Sequence, residues 1–211
     1  PPIGEQHPGS FGMSTGDLSA IHRWYEVSYS RIRFGSTRSS TFKEPAPFAP
    51  YDKGGSYRRW EGNRSFVINW NNDGLQIRSN ARSSVRNARY FCQPHISWTL
   101  VTSGALSCRW FSKGHLLDTA SNAIYTGTPA ELSLLLGLLN SKCVKALSSI
   151  LNPTLNYSCG VINRIPIPPI VQSKSSGTPQ PLAPSSFPRP TRCVLSGIGP
   201  NGQTNVNGTV I

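Results

Sequence analysis

At Thr128 the hydrophobic period of this chain changes, and that change limits the folds open to it. Between Ser65 and Leu117 the runs SFVINW, RYFCQ, ISWTLV, LSCRWF and GHLL are short and rich in β-branched or aromatic residues, and Gly, Asn, Pro and Ser separate them. Such runs read as strands. From Thr128 the segment TPAELSLLLGLLNSKCVKALSSIL reads instead as one long amphipathic helix. Thr128 caps it, Pro129 occupies the first turn, where a missing N–H costs nothing, and Glu131 completes a capping box. Leu132, Leu135, Leu136, Leu139, Val144, Leu147 and Leu151 form a stripe for a core. Asn140, Lys142 and Lys145 interrupt the apolar run short of the ~20 residues a membrane span needs. Strands followed by a helix predict an α+β class, a β-rich domain closed by that one helix.

The flanking segments carry weaker signals. Residues 1–56 are rich in Gly, Pro and Ser, with HRWYEVSYSRIRFG as a strand-like island of alternating side chains. KEPAPFAPYDKGG reads as a loop because Pro45, Pro47 and Pro50 interrupt regular structure. Asn72, Asp73 and Gly74 predict a turn. Residues 172–211 contain no acid, no Trp and no Tyr but six prolines. Such a composition buries too little apolar surface to offset ordering entropy, so a disordered tail is expected. The domain division expected is therefore 1–170 and 171–211.

Charge narrows the partners. The 211 residues carry 21 Lys and Arg against 9 Asp and Glu, a net charge of +12. Fifteen of the basic residues are Arg, whose planar fork suits phosphates and guanine edges. Between Arg23 and Lys113 there are fifteen basic residues against five acids, which points to a nucleic-acid surface on the β-rich middle. The stretch YRRWEGNRSFVINWNNDG, from Tyr57, concentrates the pattern with three Arg, two Trp and four Asn. Arg and Asn can read guanine and adenine edges or hold phosphate. Arg58, Arg59, Arg64, Asn69, Asn71, Asn72, Arg78, Arg86 and Arg89 are the DNA-binding candidates, on what is expected to be a single face. Trp60, Trp70, Trp98 and Trp110 are expected mainly in the core, with Trp60 and Trp70 pinning the segment.

Catalytic chemistry is not legible in these residues. His7, His22, His95 and His115 and the nine carboxylates are scattered singly. Cys92, His95, Cys108 and His115 fit none of the common zinc spacings, so core thiols and surface imidazoles are expected, and no metal. Asn152-Pro153-Thr154-Leu155 begins like the Asn-Pro-Pro-aromatic motif of adenine methyltransferases but lacks its second Pro and its aromatic platform. A loop ending the helix at Pro153 is the plainer reading. Neither common Gly-rich phosphate loop occurs. Five cysteines, an odd number, point to reduced thiols and a cytoplasmic setting, although Asn63, Asn156 and Asn207 begin N-x-S/T triplets. A start at PPIGEQ without Met suggests a piece of a longer protein.

Several stretches together resemble the C-terminal part of the BREX-type adenine-specific DNA methyltransferases (PglX), a bacterial phage-defence family. PIGEQHPGSFGMSTGD followed by RWYEVSYSRIRFG is similar to that family's Gly-x-x-Thr-Gly-Asp entry segment, with Leu18 where the family often has Asn. YDKGGSYRRWEGNRSFVINWNNDGLQIR looks like its Lys-Gly-Gly, Arg-Lys-Trp-x-Gly-Asn and Asn-Trp-x-Asn-Asp-Gly run. ISWTLVTSGALSCRWFSKGHLLD and LLLGLLNSKCVKALSSILNPTLNYSCGVINRIPI continue the likeness in order, so that it covers about residues 2–168. The resemblance implies methyl transfer from S-adenosylmethionine to adenine N6, with the cofactor-binding and catalytic motifs upstream. This part would be the target-recognition portion, partnered by duplex DNA and by a catalytic domain or other defence-system subunits. A stand-alone specificity subunit and a truncated, inactive remnant are the alternatives.

Overall fold

The computed structural model describes residues 1–126, 128–152 and 154–168, so the predicted tail lies outside the described residues. In chain order the elements are α1 (Ile3–Gln6), β1 (Ser10–Phe11), β2 (Ile21–Arg23), β3 (Phe48–Asp52), β4 (Phe66–Asn69), α2 (Asn71–Arg78), β5 (His95–Thr99), β6 (Cys108–Phe111), β7 (Leu116–Leu117), β8 (Ser121–Ile124), α3 (Pro129–Leu139), α4 (Lys142–Leu151) and α5 (Cys159–Ile162). Two four-stranded sheets result. The first, ordered β1-β8-β5-β6, is antiparallel throughout, and the second, ordered β2-β4-β3-β7, is antiparallel except where β3 runs parallel to β7. The class is α+β, as the sequence predicts.

The first sheet is buried on both faces, and the alternation of its side chains shows why. Ile96 and Trp98 on β5, Cys108 on β6 and Ile124 on β8 join Leu132, Leu135, Leu136, Leu139 and Val144 in one core with the helices. The residues between them, His95, Ser97, Arg109 and Ser121, are equally buried but polar. They face the end of β3, where Asp52 accepts a hydrogen bond from Ser121 Oγ at 3.0 Å. Asp118, just after β7, links the two sheets: its N–H donates to the Asp52 carbonyl at 2.8 Å and its Oδ2 accepts from the Tyr51 hydroxyl at 2.7 Å, both on β3, while its carbonyl accepts from the Ser121 N–H at the start of β8 at 3.0 Å. A second core, built on Ile68, Trp70, Tyr51, Phe42 and Leu116, belongs to the other sheet.

The single long helix of the sequence reading is in fact two, α3 and α4, bent by 66°. Thr128 caps the first as expected, its side chain accepting from the Glu131 N–H. The break is made by Asn140, which is buried. Its Nδ2 donates to the Cys108 carbonyl at 2.9 Å and its Oδ1 accepts from the Cys108 N–H at 3.0 Å, so β6 is clamped at the point where α3 ends. Ser141 then caps α4 by accepting from the Val144 N–H. Replacing Asn140 by Ala leaves the Cys108 N–H buried without its acceptor, while the Cys108 carbonyl keeps the Trp60 N–H, so the expected cost is about 1–3 kcal/mol. Urea unfolding followed by circular dichroism checks this through the shift in midpoint. Among the described residues no single helix is long and apolar enough to cross a membrane.

Three further sequence expectations are corrected. HRWYEVSYSRIRFG is a strand only at its start, in β2, and then turns twice through short 3-10 segments, Trp24–Glu26 and Tyr29–Arg31. Its alternation is satisfied by packing at the edge of a sheet rather than by strand pairing. KEPAPFAPYDKGG contains β3, a fully buried inner strand. Pro50 is tolerated there because its N faces away from β4, between the bridge at Ile32 and the start of β7. RYFCQ forms a 3-10 turn, Ala88–Tyr90, and no strand. The Asn72-Asp73-Gly74 turn is present, with all three residues left-handed. Gly74 is required there: a Cβ would lie 2.6 Å from the Trp70 ring.

Candidate nucleic-acid interface

Arg58, Arg59 and Trp60 are presented on an exposed loop. Asn63 Nδ2 closes its base by donating to the Ser56 carbonyl at 2.8 Å. The loop is fastened to the free edge of β6: the Trp60 N–H donates to the Cys108 carbonyl at 2.9 Å, and the Trp60 carbonyl accepts from the Trp110 N–H at 3.0 Å. Trp60 is 51% exposed and has φ of 74°, a left-handed conformation that bulky residues rarely adopt. An aromatic ring held outside the core in a strained backbone is a feature of binding surfaces more than of packing. Arg59 Nη1 reaches the Asn140 carbonyl at 3.5 Å, which sets it over the corner between α3 and α4. Arg58 makes no side-chain hydrogen bond or ion pair among the described residues.

Arg64 stands at the base of this loop and is engaged by the protein. Its Nη1 donates to Glu61 Oε1 at 2.8 Å and its Nη2 to the Trp110 carbonyl at 3.0 Å, with the guanidinium 5.6 Å from the Phe111 ring. It positions the loop rather than facing solvent.

The other candidates form two further groups. Asn69, Asn71, Asn72 and Arg78 surround the entry to α2, at the far end of β4 from Arg64, roughly 20 Å of extended chain away. Asn69 Oδ1 accepts from the Asn71 N–H at 3.2 Å, and Arg78 donates to the Asp73 carbonyl at 2.7 Å and to its Oδ2 at 3.2 Å. These contacts hold the left-handed turn. Arg86 and Arg89 lie against Phe11 and Tyr90, with Arg86 Nε donating to Ser84 Oγ at 2.9 Å. The structure thus sets the nine residues in three places and does not gather them into one cluster.

Trp70 and Trp98 are fully buried, and Trp110 packs against the helical core, so Trp60 is the one of the four that faces solvent. The thiols of Cys92 and Cys108 are core groups as expected, both pushed up to about 12 by burial. The imidazoles are not at the surface: His95 and His115 are buried in the polar layer between the sheets. Their spacing in sequence could not reveal this. Arg109, counted among the surface charges, is also completely buried. Its Nη2 donates to Thr99 Oγ1 at 3.3 Å. No group of three or more His, Cys, Asp or Glu able to hold a metal occurs among the described residues.

That polar layer is balanced by Asp52. Its Oδ2 lies 3.6 Å from His95 Nε2, and its Oδ1 accepts from the Gly54 N–H at 3.1 Å. His95 Nδ1 is 2.9 Å from the Gln93 carbonyl, to which it donates. Burial opposes ionisation of Asp52, but His95, Arg109 and Ser97 outweigh it and bring the carboxyl down to about 2.

The molecule is thus an α+β domain, tight and charge-balanced inside, that carries an arginine-rich loop with an exposed tryptophan on one sheet edge. No family model matches the chain. Adenine-specific methyltransferase PglX of Lacticaseibacillus casei (strain Zhang) is 32% identical over 164 residues, covering 74% of this chain and 14% of that protein. Adenine-specific methyltransferase BrxX of Escherichia coli O9:H4 (strain HS) is 33% identical over 150 residues, 70% of this chain and 12% of that protein. The chain is a PglX-like region of the BREX-type adenine-specific methyltransferases, as its motifs imply, and it spans only about an eighth of the length of these relatives.

Proposed function

We propose that this region holds duplex DNA for an adenine-specific methyltransferase, while a catalytic domain elsewhere in the protein or complex carries out methyl transfer. The observation that carries the reading is the loop of Arg58, Arg59 and Trp60, exposed, basic and anchored by main-chain hydrogen bonds to β6. Arg58 and Arg59 supply phosphate contacts or base-edge contacts, and Trp60 supplies a flat apolar surface against sugar or base. Arg64, Asn63 and Glu61 keep the loop in shape, so little ordering entropy is lost on binding.

S-adenosylmethionine is the methyl donor such a family uses, and the residues described here do not fit it. Close-approach glycines could form a nucleoside cradle, but Gly12, Gly16 and Gly114 face the protein's own backbone, where a Cβ would lie 2.1–2.8 Å from Leu117, Arg82 and Gly35 respectively. No chemical step is assigned to these residues. Their contribution is to grip and orient.

Replacing Arg58 and Arg59 together by Ala is expected to weaken duplex binding by about 10-fold to 100-fold at moderate salt and to lower the salt dependence by one or two phosphate contacts. The melting temperature should stay unchanged, since neither side chain is part of the core. Fluorescence anisotropy with a labelled duplex over a salt series measures both. Affinity equal to that of the unaltered chain at low salt would sink the reading.

A further inference from the structure

The outer face of α4 borders a pocket that no part of the sequence anticipates. Its volume is about 280 Å³, and it is lined by Lys142, Lys145, Ala146 and Ser149 on α4 and by Ala105 and Tyr157 opposite. The four α4 residues are spaced so as to share one face of the helix, while Val144 and Ser148 turn into the protein. We propose that this pocket binds a phosphate group and that, on the DNA-holding reading above, it seats one phosphate of the nucleic-acid backbone.

The decisive wall is Tyr157, which is only 7% exposed. Its backbone is fully used: the N–H donates to the Leu100 carbonyl at 2.7 Å, and the carbonyl accepts from Trp98 Nε1 at 2.7 Å and Asn122 Nδ2 at 3.1 Å. What Tyr157 brings to the pocket is therefore its phenol, whose hydroxyl makes no hydrogen bond among the described residues. A phenol hydroxyl that no protein group engages is free to donate to an anion in the pocket. Lys142 and Lys145, about one helical turn apart, line the pocket on the α4 side, and none of the lining residues is acidic. Lysine holds phosphate as a point charge, and the first turn of α4 adds the positive end of its dipole. Ser149 is not a donor to the ligand, because its hydroxyl is given to the Ala146 carbonyl at 2.7 Å. The two alanines leave room beside the anion for an attached sugar.

The pocket is continuous with the exposed loop. Arg59 contacts the Asn140 carbonyl, and Asn140 is followed by Ser141, the cap of α4, and by Lys142. A backbone lying along Arg58 and Arg59 would run on to Lys142 and Lys145 without crossing an acid of that segment.

Two titrations of the full chain test this. In the first, a ¹⁵N-labelled sample receives inorganic phosphate, with chloride at matched ionic strength as control. Resonances of Lys142, Lys145 and Tyr157 should shift with phosphate alone, and Lys142→Ala with Lys145→Ala should abolish the shift. In the second, duplex DNA is titrated across a salt series. The double lysine variant should bind about 10-fold more weakly and lower the log–log salt slope by about 1, one phosphate's worth. Tyr157→Phe, which keeps the packing, should bind about 3-fold to 10-fold more weakly, as for one lost hydrogen bond. Phosphate shifts without any DNA binding would uphold the pocket as a site for free or small-molecule phosphate and overturn the DNA reading. Normal DNA binding with an unaltered slope in the lysine variant, and no phosphate shifts, would overturn the pocket and leave the DNA reading standing. Silence in both would overturn both.

Discussion

Replacing Asp52 by Ala is expected to destabilise this fold by about 3–5 kcal/mol, the range for removing one partner of a buried charged group. The expectation follows from where Asp52 sits. It is completely buried, with Arg109 and the His95 ring, also completely buried, around it. Without the carboxylate the Arg109 guanidinium loses its counter-charge, and the Gly54 N–H and Ser121 hydroxyl lose their acceptor. For a domain of this size the loss corresponds to a fall in melting temperature of roughly 10 °C. Thermal melting by circular dichroism measures it. Asp52→Asn keeps an acceptor but no charge and should fall between the two. Combining Asp52→Leu with Arg109→Met removes both signs and should recover part of the loss, since apolar replacement of a buried pair is often tolerated. A drop of under about 2 °C for the single alanine variant would mean that the polar layer between the sheets does not depend on charge balance.

Acid is expected to unfold the protein along a slope set by His115. Burial, first of all, pushes its imidazole down to about 3, with the His95 and Arg64 charges acting the same way and the Ser112 carbonyl and Asp52 opposing. The unfolded chain takes up that proton near 6.5, the ordinary value. A group that is harder to protonate in the folded state leaves stability intact above 6.5 and erodes it as pH falls from there toward 3. Each pH unit in that window costs roughly 1.4 kcal/mol, or up to roughly 5 kcal/mol by its lower end. Asp52 adds to the loss only lower down: its carboxyl, held at about 2 against an ordinary 3.8, withdraws its contribution as pH falls below 3.8. His7, also lowered by burial, acts in the same direction as His115 and serves as a comparison variant. Urea unfolding between pH 7 and pH 4 should therefore show a falling midpoint, and His115→Asn, whose amide can still donate to the Ser112 carbonyl, should flatten it. An equal slope in the variant would place the acid sensitivity elsewhere.

The strands at SFVINW, ISWTLV, LSCRWF and GHLL were legible because local preference and burial agree there. Thr128 and Pro129 mark the start of α3 by purely local chemistry, and Asn72-Asp73-Gly74 marks its turn in the same way. The failures share a cause. Pro50 in β3 is permitted only by which neighbour lies on each side of the strand, and the end of α3 depends on Asn140 finding the backbone of Cys108, 32 residues away. Neither condition can be read within a window of a few residues.

The candidate interface divides along the same line. Composition and motif fixed the family likeness and drew attention to Arg58, Arg59 and Trp60, because charge, aromatic content and residue order are carried by the chain itself. Which arginines face solvent is a matter of packing: Arg109 is enclosed between sheets, Arg64 and Arg78 are held by neighbouring acids and carbonyls, and Arg58 is left outside. Lys142, Lys145 and Tyr157 come together because the chain leaves α4 and folds back to place Tyr157 across from it. The chain alone determined that there would be strands, helices and an excess of positive charge. Tertiary structure decided where that charge could be used, since a guanidinium or ammonium group is available to a partner only when the fold leaves it unpaired and in water.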